Sequence, residues 1–229
     1  MKNLEELSKK CGLKFKKPQN IEQAFIHRSY LNENKSYHQS NERLEFLGDT
    51  ILSYLVSKHL YIKYPDLTEG ELTNLRSSVV KTSTLSEMAK QLDLGSLLCL
   101  SKGEEEGGGR NNPSLLADTF EAFLGVIFLD QGLLSVDKIL QSLLFPLIPQ
   151  ILKEKTYKDA KSEFQEIVQE ESKISPVYKV LNEKGPDHAK EFSVGAFVEN
   201  TLWGKGVGKS KQEAEMRAAQ CALEKWRKR

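Results

Sequence analysis

Cysteine is scarce in this chain. Cys11, Cys99 and Cys221 are odd in number, far apart, and form no CxxC pair. That excludes a disulfide framework and fits three ordinary thiols in a reducing cytoplasm. Long apolar runs are also missing, so no segment reads as a membrane span and no membrane partner is expected. The opening MKNLEELSKK lacks the apolar core that a secretory signal needs. Net charge is nearly absent: 33 Lys and Arg against 32 Asp and Glu leave +1. Strong polyanion binders are usually more basic, so any nucleic-acid role must rest on local patches. Internal repeats and low-complexity tracts are absent. What remains is a soluble, globular composition, 39% hydrophobic and 28% charged over 229 residues, enough for one large domain or two ordinary ones.

Residues 1 to about 150 read as nearly all helical. Ile51 to Tyr61, Leu72 to Leu92 and Asp118 to Leu129 carry helix formers at helical spacing. Pro65 and Gly70 break the first pair, and GEEEGGGRNNP, Gly103 to Pro113, reads as a loop. Pro146 and Pro149 close this region, and the Lys-rich KEKTYKDAK, Lys153 to Lys161, reads as a linker. The pattern then changes. Ser162 to Glu171 is a short amphipathic helix; Val177 to Leu181, Phe192 to Glu199 and Thr201 to Val207 have strand composition. Glu199 to Thr201 fits a tight hairpin. Ser210 opens a final helix to about Trp226, with Glu213 completing a capping box. The order is that of a small αβββα module.

NERLEFLGD, Asn41 to Asp49, poses the chemical question. At about 100° per residue, Glu42, Glu45 and Asp49 fall in one narrow sector. Leu44, Leu47, Ile51 and Leu55 fall opposite, with Gly48 beside them. Phe46 and Val56 flank the acidic row, so that side is expected to be covered as well. Clustered carboxylates in a covered site take up protons unless a cation neutralises them, and oxygen-only ligands suit a hard ion such as Mg²⁺. ADTFEAFLGVIFLD, Ala117 to Asp130, is apolar nearly all round and should be buried. It nevertheless carries Asp118 and Glu121 on one side, with the small Ala122 and Gly125 nearby to admit another helix. Four carboxylates on two buried helices point to a metal site.

NERLEFLGD and ADTFEA resemble the two acidic motifs of the ribonuclease III family, double-strand-specific endoribonucleases. AFIHRSY (Ala24 to Tyr30), PDLTEGELTNLRSSVV (Pro65 to Val80) and KGEEEGGGR (Lys102 to Arg110) match in kind and order. The resemblance implies an all-α endonuclease and dimerisation domain over 1–152, a linker over 153–160 and an αβββα double-stranded RNA-binding domain over 161–229. It implies Glu45, Asp49, Asp118 and Glu121 as catalytic, metal-binding carboxylates, with Glu42, Glu69 and Glu104 as secondary acidic positions. It also implies a homodimer in which Phe46 is buried at the interface. Two Mg²⁺ ions about 4 Å apart, with Mn²⁺ a possible substitute, can activate a water and stabilise the leaving oxygen. No side-chain nucleophile and no small-molecule cofactor are then needed, and His27, His38 and His59 read as structural. The implied products are 5′-phosphate, 3′-hydroxyl ends with short 3′ overhangs.

Ser162 to about Trp226 is similar to the double-stranded RNA-binding domain. KSEFQEIVQE places Gln165 and Glu166 at minor-groove positions. GPDHAKEF places Pro186 and His188 at a neighbouring minor groove, and GKSKQEAEMRAA places Lys209 and Lys211 across the phosphates between. Gln212 departs from the family, which usually has a second lysine there; it hydrogen-bonds a phosphate but releases no counterion, so a shallower salt dependence is expected. Lys205 or the terminal WRKR, Trp226 to Arg229, could compensate. The expected function is a cytoplasmic, Mg²⁺-dependent, homodimeric endoribonuclease that cuts both strands of double-stranded RNA and processes ribosomal RNA precursors and some messenger RNAs. The alternative is a double-stranded RNA-binding regulator that does not cut.

Overall fold

The computed structural model describes residues 2–16, 18–154, 160–186 and 190–229. It forms two compact units, Met1–Tyr157 and Lys158–Arg229. Among the described residues no helix is long and apolar enough to cross a membrane.

The first unit is helical: α1 (Lys2–Lys10), α2 (Pro18–Gln23), α3 (Tyr30–Glu33), α4 (Glu42–Lys63), α5 (Glu69–Val79), α6 (Thr82–Gln91), α7 (Lys102–Glu106), α8 (Pro113–Gln131), α9 (Leu133–Leu143) and α10 (Ile148–Glu154). Its centre is α8. Asn112 caps this helix by accepting the Ser114 N–H at 2.9 Å, and Pro113 stands at the first helical position, where a missing N–H costs nothing. Phe120, Phe123, Leu124 and Ile127 are fully buried on it. Each such side chain contributes about 1.5–3 kcal/mol on burial.

Helix α4 packs against α8 in reverse direction: Gly48 meets Glu121, while Gly125 meets Leu44. A Cβ at Gly48 would collide with the Glu121 carbonyl, and one at Gly125 with the Leu44 carbonyl. Only glycine at both positions lets the two backbones touch. Leu44, Ile51 and Leu55 are buried as the helical wheel predicts. Val56 is also buried in the core and does not flank the acidic row, whereas Phe46 is 78% exposed on this single chain.

Two local expectations change. Leu72 to Leu92 is two helices, broken at Val80–Lys81, and α5 starts early because Thr68 and Glu71 form a reciprocal capping box. Within the expected glycine-rich loop, Lys102–Glu106 is a short helix, capped by Ser101 accepting the Glu104 N–H at 3.3 Å. Glu104 and Glu105 in its first turn also favour it through the helix dipole.

The second unit holds α11 (Ala160–Ser172), β1 (Val177–Lys184), β2 (Glu191–Val198), β3 (Thr201–Gly208) and α12 (Lys211–Trp226). The antiparallel sheet has order β1-β2-β3, with Val194 facing Val180 on one side and Gly206 on the other. The β2–β3 turn is Glu199–Asn200, and Glu199 takes a left-handed φ of 54°. Phe164, Val168, Val194, Ala196, Ala214, Ala218 and Trp226 form the core. Ser210 caps α12 by accepting the Glu213 N–H at 3.1 Å, but the Glu213 carboxylate accepts from Lys209 N–H at 2.7 Å. The expected capping box is therefore shifted by one residue on its return bond. Residues 155–159 of the expected linker lie outside the described residues.

Candidate active site and RNA-contact residues

The α4–α8 crossing decides where the carboxylates go. Because Gly48 sits on Glu121, the side chain one turn earlier on α4, Glu45, is carried onto the same spot as Glu121 and Asp118. One carboxylate oxygen from each of Glu45, Asp118 and Glu121 lies within 4.8 Å of the others. All three are half-buried. Asp49 is exposed and lies outside this trio, yet among neighbouring charges it acts most strongly on Glu121.

The electrostatics are those of a site short of positive charge. Burial first, then the charges of Asp49, Asp118 and Glu45, pushes the Glu121 carboxyl up to about 8. Glu45 is raised by burial, then by Asp118, Glu42 and Asp49. Asp118 is raised by burial, partly opposed by the nearby His27. Oxygens that hold protons so strongly suit a small hard cation: they are oxygen-only donors, convergent, and mutually repulsive without one. The donor set fits a divalent metal of the Mg²⁺ or Mn²⁺ kind.

Of the secondary acidic residues, Glu42 lies at the start of α4. It accepts from Ser40 Oγ at 2.7 Å and stands 3.7 Å from Arg28. It lines a cavity of about 360 Å³ together with Glu45, Asp118 and His27. Glu104 lines an adjoining cavity of about 550 Å³. Glu69 is not brought to the trio within one chain; it accepts from Thr73 Oγ1 at 3.1 Å and lines a separate cleft with Tyr54 and Tyr61. His59 stacks on Phe145, with ring centroids 4.0 Å apart, and burial lowers its proton affinity; this is a packing histidine. His27 is different. It lines both cavities beside the carboxylates, although its sequence signal, a histidine within AFIHRSY, distinguishes it only weakly from a structural one.

In the second unit, Gln165 and Glu166 are exposed on α11 while Phe164 and Val168 beside them are buried. Pro186 is exposed beyond β1, and His188 lies outside the described residues. Lys209, Lys211 and Gln212 are exposed around the start of α12. Lys211 Nζ lies 3.3 Å from the Glu183 carboxylate and 5.5 Å from the Phe192 ring centroid. The basic tail is committed elsewhere: Arg227 pairs with Glu163 at 2.6 Å, and Arg229 pairs with Glu171 while stacking on Trp226. Lys205 and Lys228 are exposed.

Comparison with known proteins agrees with this architecture. Residues 18–175 match the family model described as Ribonuclease-III-like, and residues 160–225 match the double-stranded RNA binding motif. A protein named Ribonuclease 3 from Geobacillus thermodenitrificans is 46% identical over 221 residues, covering 96% of this chain and 89% of the relative. Another from Bacillus cereus is 46% identical over 217 residues, covering 94% and 88%. The solved nuclease domain of ribonuclease III from Campylobacter jejuni is 37% identical, with a TM-score of 0.60, covering 66% of this chain and 99% of that one. A second structure of that domain, described as flexible in a region involved in dimer formation, is 36% identical, with a TM-score of 0.58, covering 62% and 99%.

These matches define an endoribonuclease whose helical nuclease unit is followed by a double-stranded RNA-binding motif. The chain belongs to the ribonuclease III family.

Proposed function

We propose that the chain is a Mg²⁺-dependent, homodimeric endoribonuclease that hydrolyses phosphodiesters on both strands of double-stranded RNA. It leaves 5′-phosphates, 3′-hydroxyls and short 3′ overhangs, and it matures ribosomal RNA precursors and some messenger RNAs in the cytoplasm. The observation that carries this reading is the trio of Glu45, Asp118 and Glu121 assembled across the α4–α8 crossing.

In this reading Glu45, Asp118 and Glu121, with Asp49 from the next turn of α4, hold the metal, two ions per active site during catalysis. The bound metal neutralises phosphodiester charge and lowers the pKa of the attacking water. The protein's own task is to keep the carboxylates convergent at their shared position. Glu42 and Glu104 shape the surrounding cavities, and Glu69 is a secondary acidic residue whose cleft in the single chain is separate from them. Residues 1–152 serve catalysis and dimerisation, 153–160 link, and 161–229 bind RNA. Gln165, Glu166, Pro186 and His188 read minor grooves while Lys209, Lys211 and Gln212 meet phosphates; such contacts sense A-form shape rather than sequence.

Dimerisation rests on Phe46. An aromatic ring 78% exposed near the start of α4, followed on the same helix by exposed Tyr54, Tyr61 and Ile62, is a surface that a second copy would cover. The similar Campylobacter domain is described as having a region involved in dimer formation. A two-fold partner would present two carboxylate clusters to one duplex.

The test is cleavage of a long, perfectly paired RNA with Mg²⁺ by the native chain and by Glu121→Ala. The expected result is that the native chain cuts, while the variant binds the RNA and loses at least about 100-fold in rate. If both bind and neither cuts across metal and salt conditions, the chain is a double-stranded RNA-binding regulator instead.

A further inference from the structure

The two cavities at the carboxylate site share His27, Arg28 and Leu115. One continues to Glu42, Glu45 and Asp118, the other to Asn32 and Glu104. A polyanion that enters therefore meets the carboxylates of Glu42, Glu45, Glu104 and Asp118, and a basic pair at the junction.

The histidine is held in one orientation. Ser29 Oγ accepts the Ser101 backbone N–H at 3.1 Å and lies 2.8 Å from His27 Nδ1. The Ser29 backbone N–H points at the same ring nitrogen at 3.3 Å. With its oxygen already accepting from Ser101, the Ser29 hydroxyl has its proton available for Nδ1. A nitrogen approached by two donors is an acceptor, so the ring proton sits on Nε2. Among the described residues no hydrogen bond uses Nε2. The imidazole thus presents an uncommitted N–H donor at a cavity lined by Glu45 and Asp118. Arg28 beside it has a side chain 74% exposed, with one long ion pair, 3.7 Å, to Glu42. Such an exposed pair is weak, and a guanidinium exchanges it readily for a phosphate.

We propose that His27 and Arg28 contact the backbone of the RNA strand that lies in the carboxylate cavity. His27 Nε2–H donates to a backbone oxygen next to the bond being cut, and Arg28 neutralises the adjoining phosphate. Ser29 and Ser101 are positioning residues for the ring. The inference rests on the nuclease reading above.

The experiment uses the full chain and a long paired RNA, with single-turnover cleavage at saturating protein in Mg²⁺, RNA affinity measured without divalent ions, and thermal unfolding in parallel. His27→Ala is expected to slow the saturated rate by about 10–100-fold with affinity and thermal midpoint unchanged. His27→Gln, whose amide nitrogen reaches the Nε2 position, is expected to recover most of that loss. Arg28→Ala is expected to weaken binding and reduce the log–log salt slope by about one. Cleavage by His27→Ala within about twofold of a native chain that cuts overturns the contact and leaves the nuclease reading intact. Equal loss in His27→Ala and His27→Gln, with or without a lower thermal midpoint, also overturns it. A native chain that does not cut overturns both.

Discussion

The α4–α8 crossing and the seating of α12 on β3 use one device for different ends. At both, glycine removes the side chain that would hold two backbones apart: Gly48 and Gly125 at the first, Gly206 against Ala214 and Ala218 at the second. In the first unit the approach forces carboxylates from separate helices into one half-buried place, and their proton affinity rises. In the second, charges around the packed core find partners, as Arg217 does with Glu213 at 2.7 Å and Lys161 with Glu215 at 2.6 Å. Close packing there yields a quiet scaffold whose binding groups stay on the surface. The difference teaches that buried, unneutralised charge marks the chemical site, whereas exposed polar groups on a satisfied core mark a docking module.

The largest expected effect comes from breaking the crossing itself. Gly48→Ala places a methyl inside the Glu121 carbonyl, so the helices must separate. Destabilisation of at least about 3 kcal/mol is expected, at the top of the overpacking range, with loss of cleavage. Urea denaturation of the variant reads it; a native midpoint would show that the crossing is not the hinge of the site. Phe46→Glu comes next. A charge at an aromatic interface anchor should weaken the dimer at least about 30-fold, roughly 2 kcal/mol, by sedimentation. An unchanged dimer would put the interface on another face.

Glu121→Gln sharpens the electrostatic half of the comparison. Glu121 ordinarily titrates at 4.5 and is pushed up to about 8 in the folded, metal-free chain. The folded state therefore holds a proton that the unfolded state has already released. The associated stability is complete below pH about 4.5 and is lost as pH rises toward 8. Unfolding midpoints in EDTA should fall over that window, and the glutamine variant should flatten the fall. Mg²⁺ binding to the native chain should likewise strengthen as pH rises through the window. A pH-independent midpoint in both proteins would mean that the site is not charge-strained. The smallest effect belongs to the second unit: Gln212→Lys should steepen the salt dependence of RNA binding by about one phosphate contact. An unchanged slope would place that residue off the backbone.

Much of this was legible in the chain. The wheel through NERLEFLGD separated Leu44, Ile51 and Leu55 from Glu42, Glu45 and Asp49, because helical periodicity is local and strong. The αβββα order and the Ser210 cap were legible for the same reason. Less visible was the short helix at Lys102–Glu106, where glycines signalled a loop but a serine cap and a run of glutamates prevailed. The break at Val80–Lys81 was equally hidden, since composition stays helical across it. Val56 was misplaced because a long helix buried on a broad face encloses more of its circumference than one stripe.

The sequence by itself determined which residues could do chemistry: four carboxylates on two apolar helices, and basic and polar groups on a small α/β module. It determined as well, through Gly48 and Gly125, that two helix backbones could touch. Only the tertiary structure decided that Glu45, Asp118 and Glu121 meet within 4.8 Å while Asp49 stays outside, that Glu69 lies in another cleft, and that His27 faces the carboxylate cavity. The physical reason is range. Periodicity and capping act over a few residues, whereas the placement of charges from distant segments depends on how close two backbones can come.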